Sequence, residues 1–227
     1  LSATVAYGVM NLLMTSTPLA MAGCGHSFSD TALVIEWHVL AMFTPSFFTG
    51  SIINRFGTLR VMGAGAVILF ASVAVNLSGT SVPHFVAALI LVGIGWNFLF
   101  VGATNLVTES YSSSEKAKTQ GLNDLIIFST VAFTAITSGI IHELAGWRML
   151  NMMVLPAIAL ALGAILWLGF RRTQEKQEKT VSTLHFEARI GSSERFGITL
   201  AARRQRQSHG TVRRARKIRK RCFHITL

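Results

Sequence analysis

A handful of polar and ionisable side chains set inside long apolar runs decide what chemistry this 227-residue chain can perform. Glu36 and His38 are the sharpest. An ionisable group in such a run is costly unless it faces a partner, a cavity or the protein interior. His38 titrates near neutrality, and Glu36 does so when desolvation raises its pKa, so each is a candidate for carrying or reporting a proton. They are two residues apart and do not share a helix face. Both also stand close to one end of their run, where a side chain can simply reach up to water. Trp96 and Asn97 offer a flat amphipathic wall and an amide that both donates and accepts. Such a pair suits contact with a small solute, and an interhelical hydrogen bond is the competing use of Asn97. Asn105 follows on roughly the same face, and Asn11 and Thr15, one turn apart, can form a polar stripe. None of this is covalent chemistry. There is no nucleophile elbow, no Gly-rich phosphate loop with a lysine, no His-Glu-x-x-His and no Cys/His ligand cluster. Cys24 and Cys222 are too far apart in sequence to suggest a metal site or a disulfide framework. The chain reads as a non-enzyme with no cofactor.

The elements that must position these groups are six apolar runs, 1–22, 31–53, 61–77, 85–107, 122–141 and 149–170. A helix rises about 1.5 Å per residue, so roughly 20 residues cross the hydrocarbon core of a bilayer. The fold class is all-α, a polytopic membrane protein with six transmembrane helices. Pro18 in the first run frees a carbonyl and kinks the helix, and Pro45 lies near the middle of the second. Small residues in the third, among them Gly63, Gly65 and Ala66, let backbones approach closely. The fifth run repeats Thr and Ser at 130, 134, 137 and 138 too often for free lipid exposure and is expected to pack or line. The sixth is the most uniformly apolar and is expected to be the most lipid-facing.

Charge is divided sharply at Phe170. Before it, five basic residues (Arg55, Arg60, Lys116, Lys118, Arg148) oppose six acidic ones (Asp30, Glu36, Glu109, Glu115, Asp124, Glu143). After it come sixteen basic and four acidic residues, so the whole excess of positive charge belongs to the tail. Two domains are therefore expected: a transmembrane bundle over 1–171, and a basic, largely disordered tail over 172–227 with a short helix near 201–207. The tail lacks aromatic interleaving and a patterned recognition helix, which argues against sequence-specific nucleic-acid binding. Its charge suits anionic lipid or non-specific phosphate attraction. Within the bundle, basic residues collect on the second and fourth connectors and directly after the last run. Positive residues stay on the cytoplasmic side, which places those connectors and both termini there.

The second connector reads Gly50, Ser51, Ile52, Ile53, Asn54, Arg55, Phe56, Gly57, Thr58, Leu59, Arg60. It resembles the signature loop of the major facilitator superfamily: glycine, three residues, an acidic residue, arginine, one residue, glycine, then a basic cluster. Glu109 to Asp124, with Lys116, Lys118, Gly121 and Asn123, resembles the loop that family places between the fourth and fifth helices of a half. Gly146, Trp147 and Arg148 resemble its connector before a half's last helix. The resemblance covers residues 1–171. Asn54 stands where the signature has an acid and Thr58 where it has a base, departures that are commoner in a second half. Together with a start at Leu1 rather than Met, they imply a fragment: the C-terminal six-helix half of a twelve-helix transporter.

That resemblance implies secondary active or facilitative transport of a small organic solute by alternating access, with two six-helix halves rocking about a central site. Arg55 and Arg60 would then bias one rocking state by pairing at the rim, alongside Gly50, Asn54 and Gly57 as a gating loop. Glu109, Lys116, Lys118 and Asp124 form the second such loop, Asp124 being placed to favour a helix N-terminus. The expected partners are the lipid bilayer, a small solute with protons, and a second half or a second copy, in a bacterial inner membrane. The alternative is a six-helix scaffold, sensor or accessory subunit that moves nothing.

Overall fold

A computed structural model describes residues 1–184 apart from 110, 112 and 113, and the helical backbone alone from 185 to 223. The chain is all helix: α1 (Ser2–Gly23), α2 (Phe28–Phe43), α3 (Ser46–Phe56), α4 (Thr58–Ser78), α5 (Val82–Thr108) and α6 (Lys116–Phe223). α2 and α3 meet at a 42° bend and make one broken span, while Gly146 interrupts α6 with φ 76° and ψ 171°. Counting the two arms of α6 on either side of Gly146, six apolar helices cross the membrane. One end of the bundle carries Leu1, Gly57, Glu109, Lys116 and Phe170; the other carries Cys24, Gly79 and Gly146.

The boundaries have local causes. Ser27 begins α2 with a capping box: its hydroxyl accepts from the Asp30 amide, and the Asp30 carboxylate accepts from the Ser27 amide at 3.1 Å. Pro83, which has no amide hydrogen to leave unpaired, stands at the second position of α5. Gly57 turns α3 into α4 at φ 89°, a conformation open to glycine and costly for anything with a Cβ. The two prolines behave differently from each other. α1 runs as one helix through Pro18, whereas the chain breaks just before Pro45.

α5 is the central helix and packs against each of α1, α2, α3 and α4. Two glycines make this possible by opening different faces. A Cβ on Gly93 would sit 2.9 Å from the His38 carbonyl oxygen of α2, and one on Gly95 would sit 3.0 Å from the Gly65 carbonyl oxygen of α4. Gly102 likewise receives the Met62 side chain. The main core joins Leu13 of α1, Leu69 of α4, Val92 and Leu99 of α5 and Leu150 and Ile158 of α6. A smaller cluster at the Gly146 end joins Met21, Val34, Phe85 and Leu89. There Asn76 Nδ2 donates to Asn151 Oδ1 at 2.9 Å, and Asn151 Nδ2 donates to the Trp147 carbonyl at 2.9 Å, tying α4 to the second arm of α6.

The arms of α6 differ from the sequence expectation. The first arm, not the second, is the more exposed, with Leu125, Phe128, Phe133, Ile136 and Leu144 all on the surface. Its hydroxyl-bearing stripe does pack, against α1: Gly8 lies on Thr130, and Ser16 donates to the Ser138 carbonyl at 3.4 Å. The second arm buries Leu150, Val154, Ile158, Ala161 and Ile165 along one face at helical spacing. A uniformly apolar sequence cannot say which of its faces is covered.

By contacts the chain divides into two units, Leu1–Phe170 and Arg171–Leu227. In the second, the backbone of Arg171–Leu184 is helical and every side chain there is exposed. Regular structure was not expected here. Its residues are strong helix formers, and Glu175 and Lys179 stand at the favourable i, i+4 spacing, so propensity alone supports the helix. The side chains of 201–207 and of the arginine-lysine run lie outside the described residues.

Candidate functional site

Three aromatic rings from two helices meet in the bundle. On α5, Trp96 and Phe100 are one turn apart and stack, with centroids 5.1 Å apart and planes 9° from parallel. From α1, Tyr7 presents an edge to both, at 5.1 Å from Trp96 and 4.9 Å from Phe100. Trp96 is 5% exposed, whereas Tyr7 and Phe100 are half-buried. The Trp96 Nε1 has no hydrogen-bond partner.

Tyr7, Asn11 and Thr15 follow at four-residue spacing and share one face of α1. Asn11 is half-buried and uses its Nδ2 twice on the first arm of α6, donating to the Val131 carbonyl at 3.1 Å and to Thr134 Oγ1 at 2.9 Å. Thr15 is exposed. One face of α1 thus carries Tyr7 against the α5 rings, Asn11 bonded to the first arm of α6, and the exposed Thr15.

Asn97 lies one residue from Trp96 but turns to α2 and α3. Its Nδ2 donates to the Met42 carbonyl at 2.8 Å and to Ser46 Oγ at 2.6 Å, and its Oδ1 lies 2.6 Å from the Thr49 hydroxyl. Those partners bracket Pro45, which has no amide hydrogen for the carbonyl one turn earlier. Every polar atom of the Asn97 amide is occupied in holding the bend. Asn105 works at the Gly57 end, donating to Thr58 Oγ1 at 3.0 Å and to Glu109 Oε1 at 3.2 Å.

Glu36 and His38 part company. His38 is fully buried, its Nδ1 2.8 Å from the Leu89 carbonyl. A carbonyl only accepts, so Nδ1 carries the hydrogen and Nε2, which has no partner, is a bare lone pair. Glu36 is exposed and lines a cavity of about 560 Å³ between α1 and α2, with Pro18, His26, Phe28 and Ile35 among the walls. Asn54, Arg55, Gly57 and Arg60 are exposed, and the Arg55 guanidinium lies 5.4 Å from the Phe56 ring centroid. A Cβ added at Gly50 would meet nothing within 4 Å. Lys116 and Lys118 are exposed at the start of α6, whereas Asp124 is exposed more than two turns inside it, so the helix N-terminal role expected of Asp124 is not met; Glu109 is the C-cap of α5.

The structure thus brings Trp96 onto Tyr7, whose face of α1 Asn11 and Thr15 share by spacing, and places Asn97, Asn105, Glu36 and His38 elsewhere. It adds Tyr7 and Phe100, which sequence reasoning passed over. Their signal was spacing: each is one helical turn from a polar or aromatic residue already singled out. Among the described residues, no cluster of His, Cys, Asp and Glu could hold a metal ion.

A family model for the Major Facilitator Superfamily matches residues 1–218. The riboflavin transporter RfnT of Brucella anthropi is 47% identical over 156 residues, which cover 69% of this chain and 39% of that protein. Two Bacillus subtilis proteins described as uncharacterized MFS-type transporters are also similar. YddS is 35% identical over 170 residues (74% of this chain, 39% of that protein), and YdeG 36% over 161 residues (70% and 37%). The chain spans about two fifths of the length of these relatives.

Proposed function

The chain belongs to the major facilitator superfamily, and from that premise we propose that it forms one half of a twelve-helix secondary transporter. In this reading the six helices rock against a second six-helix unit, and a solute binds between them near the middle of the membrane. The departures at Asn54 and Thr58 favour the C-terminal half. The basic residues at the Gly57 end, together with Lys116, Lys118 and Arg171, favour a cytoplasmic setting for that end. Arg55 and Arg60, exposed beside it, are then placed to pair with the other half in one rocking state.

The solute we propose is riboflavin or a similarly flat heteroaromatic compound. One observation carries this: Tyr7 of α1 meets the stacked rings of Trp96 and Phe100, and Asn11 and Thr15 follow Tyr7 at four-residue spacing along α1. Riboflavin is a planar tricyclic ring bearing a polyhydroxylated chain. Tyr7, Trp96 and Phe100 suit the ring, and Asn11 and Thr15 suit the hydroxyls. The name of the relative at 47% identity supports the same choice.

Flux decides it. The chain is reconstituted in proteoliposomes with and without a second six-helix unit from the same source, and labelled riboflavin, sugars, organic acids and drugs are offered under an imposed pH gradient. Riboflavin flux that requires both units is the expected result. A well-folded preparation that moves nothing in either format would leave the chain a scaffold or accessory subunit.

A further inference from the structure

Four buried side-chain atoms lack a hydrogen-bond partner among the described residues: His38 Nε2, Asn76 Oδ1, Trp96 Nε1 and His142 Nδ1. Three are lone pairs or become so by choice of tautomer. His38 Nε2 is an acceptor because Nδ1 holds the hydrogen, Asn76 Oδ1 is a carbonyl oxygen, and His142 Nδ1 is an acceptor when Nε2 is protonated. An acceptor left bare in a protein interior is tolerated more often than a donor. The indole of Trp96 has no such escape, since Nε1 always carries a hydrogen and never accepts. Trp96 is the one obligatory donor in this group, it is 5% exposed, and it sits in the middle of the aromatic trio. Buried tryptophans ordinarily find an acceptor for this hydrogen.

We propose that Trp96 Nε1 is a specificity determinant: it donates to a ring nitrogen on the edge of the bound heteroaromatic solute. The half-buried Tyr7 meets Trp96 and Phe100 edge-on and is the neighbouring ring from α1. This rests on the transport reading above and adds to it the chemical class of the solute: a flat ring with a hydrogen-bond acceptor in its periphery. Stacking alone accepts any aromatic ring. A donor left unpaired by the wrong solute rejects it, because the hydrogen is desolvated with nothing in return.

The test is equilibrium binding to the purified protein, assembled as for the flux experiment. The probes are riboflavin, 1-deazariboflavin and 5-deazariboflavin, the last two replacing a ring nitrogen acceptor with C–H. Wild type should bind one deaza analogue about 5- to 10-fold more weakly than riboflavin, the size of one neutral hydrogen bond. Trp96→Phe keeps a ring for stacking and loses the donor, so it should bind all three alike and riboflavin about 5- to 10-fold more weakly than wild type. Tyr7→Phe, which keeps its ring, should preserve the discrimination. If wild type binds riboflavin and both analogues equally, or if Trp96→Phe keeps the discrimination, the hydrogen-bond assignment fails while the transport reading stands. If wild type binds no flavin, both fall together.

Discussion

Gly65 of α4 and Gly95 of α5 face each other so closely that a Cβ on either would lie 2.9–3.0 Å from the other's carbonyl oxygen. Neither contact can relax by moving a side chain, because the obstacle is backbone on both sides. Gly65→Ala and Gly95→Ala should each therefore lower stability by about 1–3 kcal/mol through forced separation of the helices. Gly63, two residues away, would meet nothing within 4 Å, and Gly63→Ala should be neutral or slightly stabilising. Thermal unfolding of the detergent-solubilised protein compares the three directly; a loss at Gly63 equal to that at Gly65 would contradict the packing.

Asn97 and Pro45 form a second interdependent pair. Asn97→Ala removes the donor that satisfies the Met42 carbonyl and the acceptor facing Thr49, both buried. The expected cost is about 1–3 kcal/mol, since a buried acceptor is left bare. Pro45→Ala restores an amide hydrogen to the bend and lets the helix satisfy more of itself. The cost of Asn97→Ala should consequently shrink in the Pro45→Ala background. A double-mutant cycle on unfolding free energy measures that coupling, and strictly additive effects would separate Asn97 from the bend.

The positions of Trp96 and Asn97 show where the sequence was legible and where it stopped. Six crossings could be read directly, because length and apolarity are properties of a run of residues taken alone. Which neighbour a polar residue turns to is a property of two helices at once. Trp96 and Asn97 are adjacent in sequence, yet one joins rings from α1 and the other brackets a proline in α2–α3. Thr49 and Ser46 drew no notice because hydroxyls inside a helix usually bond back to their own backbone. α1 continues through Pro18 while the chain breaks at Pro45, a difference that neither proline's residue type could reveal. Gly57 was readable as a turn, since a glycine between two apolar runs has few other uses.

That turn supplies another expectation. Gly57 and Gly146 adopt φ 89° and φ 76° with extended ψ, a region kept almost wholly by glycine. Alanine at either should cost about 1–3 kcal/mol even though a Cβ there would touch nothing. Gly50 and Gly163 are helical with equally open surroundings, so alanine there should be neutral or stabilising by up to about 1 kcal/mol. Unfolding midpoints for the four alanine variants would separate backbone strain from packing, which is the same at all four.

Glu36 and His38 yield opposite expectations for the pH dependence of transport. The His38 ring is enclosed, its one hydrogen is committed to the Leu89 carbonyl, and a second proton would place a charge with no partner in the interior. Glu36 opens onto the cavity between α1 and α2, with His26 the other titratable group on its walls. His26 Nε2 is held by the Thr80 carbonyl at 2.7 Å. Glu36 is exposed, so a change of its charge leaves the helix packing undisturbed. His38→Asn, whose amide can still donate to Leu89, should keep the wild-type pH profile of the proposed riboflavin flux. His38→Ala should lower stability by about 1–3 kcal/mol and also keep the profile. Glu36→Gln, fixed in a neutral form, should flatten it, so that flux no longer responds to the imposed gradient. Initial rates across a series of pH gradients in proteoliposomes separate the two. A flattened profile in His38→Asn, with Glu36→Gln unchanged, would move the proton to the buried ring and require that α2 and α5 part there during the cycle.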